Sequence, residues 1–267
     1  MAPFVPALTR FEEPLDLNLV FSGHGKHLDC PTLRLTNHHG LMIAGEAALS
    51  NWDAGMDMYI YGKLGNLTMT KEGINVLMTN LTGKVPPILQ RLDYIRFNGE
   101  AAGYLHDLTL TGLFHTGAGM VKTDVMMSID EQSMSRTYSG SVASADLDLG
   151  KLLNQEKKFG KVDFNVELKG FNYKNRYPES YIKGIISSFE YSQYQYENIM
   201  LDGVYKDGGF NGRLSMDDAN GSVQIDGNFN VAKTIPDFNL KASVKNLRPH
   251  DLHLSDKYEN ASISLGL

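Results

Sequence analysis

The residues best placed for chemistry are few. His24-x-x-His27, with Asp29 and Cys30 just after it, has the spacing of two metal ligands on one turn. A metal centre needs three or four ligands in a defined geometry, and no second cluster stands ready to complete this one. His38-His39 and the pair His250 and His253 read the same way, as loop histidines. Cys30 would act as a nucleophile only beside a base and an orienting partner. Pro31 follows it and no nucleophile signature surrounds it, so the thiol is expected buried or at a strand edge. The Gly-x-Ser-x-Gly, His-Glu-x-x-His and phosphate-loop patterns do not occur. Gly117-Ala118-Gly119 reads as a hairpin turn, because no crossover helix follows it. The Asn-x-Ser/Thr triplets at Asn66, Asn80, Asn220 and Asn260 are too short a pattern to carry weight in an Asn-rich chain. The expectation is a protein that is not an enzyme and carries no cofactor and no metal.

Composition narrows the classes further. The chain has 267 residues, a formal charge of -6 and one cysteine. One cysteine excludes an intramolecular disulfide framework. The acidic balance argues against a nucleic-acid partner, which needs clustered Lys and Arg to neutralise phosphates. No apolar run is long enough to span a bilayer, and Met1-Ala2-Pro3 does not open a signal peptide. The expectation is a soluble segment without an address of its own. Because Ala261-Ser-Ile-Ser-Leu-Gly-Leu267 is a strand pattern cut short, it is also expected to be a piece of a longer chain.

The elements that must position any site are strands. Apolar residues stand two apart at Leu15/Leu17/Leu19/Phe21, Met58/Ile60, Ile74/Val76/Met78 and Leu108/Leu110, and with one Thr among them at Val121/Thr123/Val125/Met127. They continue at Val162/Phe164/Val166/Leu168, Leu214/Met216, Val223/Ile225, Phe238/Leu240/Ala242/Val244 and Ile263/Leu265/Leu267. Residues two apart share a face of a strand. Each run therefore has an apolar face and a polar one, the pattern of an antiparallel sheet. Gly-, Asn- and Asp-rich breaks at 23–25, 39–40, 116–119, 206–209 and 217–221 supply hairpin turns. Short helices are predicted at Pro86–Leu92 and Leu149–Asn154. The alternating tyrosines of Tyr191-Ser-Gln-Tyr194-Gln-Tyr196 suit a half-exposed strand or a sheet end, as do the aromatics of 171–177. No linker composition appears, so 1–267 reads as a single continuous β repeat region.

The chain also echoes itself. Leu108-Thr-Leu110-Thr-Gly112-Leu-Phe114-His-Thr-Gly117 matches Ile199-Met-Leu201-Asp-Gly203-Val-Tyr205-Lys-Asp-Gly208. Downstream, Tyr138 to Leu149 matches Phe238 to Leu252 in a second shared piece. Multi-strand units repeated in this way bury their apolar faces by continuing the sheet through their neighbours. An elongated, mostly antiparallel all-β architecture is expected. By pattern alone its apolar face reads as the dry core of a sandwich or barrel.

The stretch from Gly184 to Leu267 resembles a known family. Asn198-Ile-Met-Leu201-Asp-Gly203-Val-Tyr205, Phe210-Asn-Gly212-Arg-Leu214-Ser-Met216, Asn220-Gly-Ser-Val223-Gln-Ile225-Asp-Gly227 and Leu240-Lys-Ala-Ser-Val244-Lys-Asn-Leu247 carry the likeness. They are similar to the TamB family, the AsmA-like translocation and assembly module proteins of bacteria with two membranes. The copy from Leu108 to Leu149 fits less closely, and Leu15 to Leu81 match in pattern alone. The resemblance implies a sheet curled lengthwise into a taco-like trough with an apolar interior. It implies a periplasmic location, with an inner-membrane anchor outside this chain. It also implies phospholipid as cargo between the membranes, and an outer-membrane assembly protein of the BamA or TamA kind as partner through other parts of the full-length protein. The lining residues it suggests are Leu110, Phe114, Val125, Met127, Val162, Phe164, Val166, Leu201, Leu214, Met216, Val223, Ile225, Leu240 and Val244. The alternative is a chaperone or scaffold that adds a strand from a nascent outer-membrane protein to a free sheet edge. A β-helical glycan-active enzyme or adhesin would need carboxylates, Arg and aromatics converging on one outer face, and the sequence shows no such convergence.

Overall fold

The computed structural model describes residues 14–133, 135–172, 179–230, 237–254 and 261–266. The chain forms two compact units, Met1–Lys122 and Thr123–Leu267. The first unit holds β1 (Asp16–His24), β2 (His27–Thr36), β3 (Leu41–Ser50), β4 (Tyr59–Thr70), α1 (Lys71–Thr82), α2 (Pro87–Gln90), β5 (Tyr94–Tyr104) and β6 (Asp107–Thr116). Strand β7 (Gly119–Asp130) carries the chain into the second unit. There follow β8 (Ser135–Ala145), β9 (Leu147–Asp148), α3 (Leu149–Leu153), β10 (Phe159–Asn172), β11 (Glu179–Tyr191) and β12 (Tyr194–Lys206). The last strands are β13 (Gly209–Asp218), β14 (Gly221–Asn230), β15 (Asp237–Leu247) and β16 (Ala261–Gly266).

The fold is all-β and antiparallel. In the first unit β1 to β6 pair in chain order, and in the second β10 to β16 do the same, with β8 and the short β9 both pairing β10. The sheet is not closed into a barrel: among the described residues β1 pairs with β2 alone and β16 with β15 alone. Hairpin turns fall where the sequence put them. At Asp207-Gly208 both residues have positive φ, 50° and 76°, the conformation that matches a two-residue turn to the twist of its strands. The turn at Ser192-Gln193 is of the same kind, with φ of 50° and 66°. It joins β11 to β12 in the middle of the tyrosine-rich run.

One predicted strand is a helix. Ile74, Val76 and Met78 alternate, but they lie in α1. The hydroxyl of Thr70 caps it by accepting the Gly73 N–H at 3.2 Å, and Gly83, at φ 76°, ends it. Between these stops Ile74, Leu77 and Met78 also recur at helical spacing, and that period wins because the cap satisfies backbone donors that a strand would leave to a neighbour. Thr70 donates its hydroxyl proton to the His39 carbonyl at 2.6 Å, and its N–H reaches the Gly40 carbonyl at 3.1 Å. The helix is thus tied to the β2–β3 turn. The short helices α2 and α3 stand at the two stretches predicted for them.

The buried side chains gather at strand ends. In the first unit they include Leu41, Ile74, Leu92, Ile95 and Phe97. Leu41, Met69 and Ile95 are neighbours across β3, β4 and β5, beside the end where α1 leaves β4. In the second unit Tyr196, Met216 and Leu252 form a buried cluster, with Phe189, Tyr191, Tyr194, Ile199, Val223 and Leu247 packed on it. The Tyr196 hydroxyl donates to the Leu252 carbonyl at 2.7 Å. The tyrosine run therefore closes a sheet end.

Candidate ligand-binding face

Pairing registers show which side chains share a face. In the second unit one row runs Val142, Val166, Gly184, Leu201, Leu214, Ile225 and Ala242, one residue on β8 and on each strand from β10 to β15. A neighbouring row runs Phe164, Ile186, Ile199, Met216, Val223 and Val244. On the other side lies a row of Gly140, Leu168, Ile182, Gly203, Gly212, Gly227 and Leu240. Beyond it is an aromatic row with Tyr138, Tyr205, Phe210 and Phe229. These rows occupy a single face, because the side-chain period of a strand is two. Directly opposed apolar pairs of this kind are what hold a sheet together.

Nine of the suggested lining residues lie in these rows. Val166, Leu201, Leu214 and Ile225 share the first, Phe164, Met216, Val223 and Val244 the second, and Leu240 the third. Val125 belongs beside them: a Cβ on Gly140 would meet its Cα at 2.7 Å. Met127, two residues on, is 41% exposed. Val162 sits opposite Phe189 and Leu147, buried at the closed end. Leu110 and Phe114 belong to the first unit. Leu110 pairs Ala101, and Phe114 pairs Phe97 with ring centroids 4.5 Å apart.

The first unit repeats the arrangement. Leu17, Leu35, Ile43, Leu67, Phe97 and Phe114 form one row across β1 to β6, and Leu19, Leu33, Gly45, Leu64, Gly99 and Gly112 the next. The self-echo in the sequence now has a structural meaning. Gly112-x-Phe114 on β6 lies opposite Phe97-x-Gly99 on β5, and Gly203-x-Tyr205 on β12 lies opposite Phe210-x-Gly212 on β13. In both places a pair of glycines is flanked by a pair of aromatics, and a ring leans over the gap. The second shared piece has one too: Asp146 and Asn246, each just before a leucine, have φ of 52° and 49°.

Sequence reasoning missed Ile182, Ile186 and Ile199 as part of the face. Ile182, Gly184 and Ile186 stand two apart, so the signal was present but interrupted by a glycine. It also could not assign the face before Leu81. Bulges at Val20/Ser22, Cys30/Leu33, Ala44/Gly45 and Leu64/Leu67 reset the alternation there. Phe21, expected to continue the Leu15 to Leu19 face, lies within such a shift and is 66% exposed.

The opposite face is polar, and so are the groups with shifted ionisation. The Asp202 carboxylate, which accepts the Tyr181 hydroxyl at 2.8 Å, pushes the Tyr181 pKa up. Burial, together with the Asp218 carboxylate at 2.5 Å, pushes Tyr194 up to about 12. The sequence's chemical candidates do not converge. His27 bonds Ser50 at 2.6 Å and lies 3.0 Å from Asp29. Buried Cys30 donates to the Thr32 carbonyl at 3.2 Å. His253 lies 2.8 Å from the Ser192 carbonyl. Among the described residues no three His, Cys, Asp or Glu side chains are grouped to hold a metal. What the geometry presents instead is an extended apolar face. Comparison with protein-family models, with curated proteins and with solved structures returned no match.

Proposed function

We propose that this chain is a segment of a bridge-like protein that keeps phospholipid acyl chains out of water between two membranes, as the resemblance to the TamB family implies. One observation carries the reading. The aliphatic rows of each unit run across the strands of a sheet that is not closed into a barrel, and most of their members keep part of their surface exposed. The helices contact strand ends, and the buried clusters lie there as well. Leu201, Leu214, Ile225 and Val166 remain half-buried. A face this apolar, left open, suits a ligand that supplies the missing layer.

The energetics favour acyl chains. Each methylene kept from water is worth about 0.8 kcal/mol, so a two-chain lipid does not cross an aqueous gap unaided on a useful timescale. A row of side chains every two residues along each strand gives the tails a continuous path across the sheet, while a headgroup stays solvated at the open side. Branched aliphatic and Met side chains accept chains of varied length and unsaturation. On this reading the protein is periplasmic and its membrane anchor and outer-membrane assembly partner belong to other parts of the full-length protein.

The test is native mass spectrometry of the purified chain, beside Ile225→Asp and the polar-face control Gln224→Asp. Bound phospholipid in the wild type and the control, and its loss from Ile225→Asp, supports the reading. Absence of lipid from the wild type, or equal lipid in all three, overturns it. Bound peptide in place of lipid points to the strand-adding chaperone instead.

A further inference from the structure

The polar face of the second unit carries a ladder of alternating charge. Glu167, Lys183, Asp202, Arg213, Asp226 and Lys241 are successive cross-strand neighbours from β10 to β15. Within the sheet Lys183 lies 3.7 Å from Asp202, and Arg213 lies 3.1 Å from Asp226. Those pairs explain why unlike charges are adjacent. They do not explain the next row, where Ile185 and Met200 face each other across β11 and β12 and are 50% and 54% exposed beside the charges. These two side chains and the ladder from Glu167 to Asp226 line a hollow of about 750 Å³ that also takes in Ser215.

We infer that this face docks against the same face of a second copy of the chain. The ladder has an even number of rungs and strict alternation. A two-fold axis lying between two stacked sheets, parallel to the strands and between β12 and β13, reverses it onto itself. Every rung then meets its opposite: Glu167 faces Lys241 of the second copy, Lys183 faces Asp226, and Asp202 faces Arg213. Size is complementary under the same operation. The β10 to β12 half carries Ile185, Met200, Tyr181 and Val204, and the β13 to β15 half carries mostly Ser, Asn and Gln. Met200 therefore meets Ser215 of the second copy and enters the hollow beside it. This is an isologous contact, in which one patch serves both partners.

The contact is modest. Six strands about 4.8 Å apart and three side-chain rows deep give roughly 500 Å² per copy. That total of roughly 1,000 Å² stands at the lower limit of specific interfaces. A weak dimer sensitive to salt is expected, since exposed charges are screened.

Sedimentation velocity on the whole chain tests this. The wild type should form a dimer as concentration rises, with a Kd at least about tenfold weaker in about 500 mM than in about 50 mM NaCl. An all-acidic ladder (Lys183→Glu, Arg213→Glu, Lys241→Glu) and an all-basic one (Glu167→Lys, Asp202→Lys, Asp226→Lys) should each be monomeric, and should pair when mixed. Met200→Asp, a single exposed change that any fold tolerates better than the triple variants, should also abolish the dimer while its circular dichroism melt stays unchanged. A monomeric wild type, a dimer that survives Met200→Asp, or folded ladder variants that do not pair on mixing would each overturn the inference. Lipid content of Met200→Asp should match the wild type, which separates this contact from the lipid-bearing face.

Discussion

A Cβ placed on Gly203 would lie 2.5 Å from Cζ of Phe210, so the phenyl ring occupies the space of the side chain that Gly203 lacks. The two residues stand on adjacent strands, Phe210 opposite Tyr205 and Gly212 opposite Gly203. The first unit has the same device, where a Cβ on Gly112 would meet the Phe97 ring at 2.4 Å. Glycine weakens a strand, and an aromatic ring laid across it restores the buried surface. Gly203 is thus covered from the aromatic side of its row.

Gly203→Ala should destabilise the second unit by about 1–3 kcal/mol, the usual cost of overpacking. The ring is not its only obstacle, since the new Cβ would also lie 2.6 Å from the Asn211 carbonyl oxygen. Phe210→Leu in the Gly203→Ala background should recover only part of the loss. Urea unfolding of the two single variants and the double variant checks this, and the double variant should lose less stability than the two single losses added together.

Helix α1 should matter to the first unit through one side chain. Ile74 is 1% exposed, so Ile74→Ala should cost about 2–4 kcal/mol, the transfer free energy plus the residual cavity. Val76→Ala, half-buried on the same helix, should cost clearly less. Thermal melts of both variants distinguish the helix from the strand that alternation suggested, because in a strand the two side chains would share one face and respond alike.

How far the sequence was legible follows from such cases. Unbroken alternation, as from Phe164 to Leu168, reads directly as a strand with one apolar face, because no register shift interrupts the period of two there. The face was unreadable from Leu17 to Leu67 because four bulges each insert or remove a step that has no fixed sequence signature. Leu64 and Leu67 show the result: three apart in sequence, they pair Gly99 and Phe97, two apart on β5. At α1 both periods fit the same apolar residues, and the choice lay in the Thr70 and Gly83 stops. The tyrosine run was legible as a half-exposed strand or a sheet end, and what decides for the end is Leu252, 56 residues beyond Tyr196.

The two faces should respond oppositely to the same charge. Ile225 lies between Leu214 and Ala242 in the aliphatic row, while Gln224, one residue earlier, is exposed between Ser215 and Ser243. Ile225→Asp should lower stability by about 2–4 kcal/mol, because a carboxylate among aliphatic neighbours loses hydration without gaining a partner. Gln224→Asp should stay within about 0.5 kcal/mol of the wild type. Urea midpoints measured side by side give the comparison, and equal effects would mean that the row is not an apolar environment.

Alkaline pH should find a particular weak point at Tyr194. Its hydroxyl donates to Asp218 at 2.5 Å, and Asn220 donates back to it at 3.1 Å. Burial and the neighbouring carboxylate both favour the neutral phenol and raise its pKa to about 12 in the folded chain. An unfolded tyrosine ionises near about 10. Below that pH both states keep the proton and the contribution of this group is fully present. Above it the unfolded chain releases the proton while the folded chain holds it, so stability falls as pH rises and goes on falling until the folded phenol ionises at about 12. Tyr194→Phe removes the titrating group together with its hydrogen bonds. It should be less stable than the wild type at neutral pH and lose less between about pH 10 and about pH 12. Tyr196, raised by burial, remains in both proteins, so the difference between the two stability curves isolates Tyr194. Denaturant unfolding at stepped alkaline pH measures that difference, which should shrink as pH rises through this window.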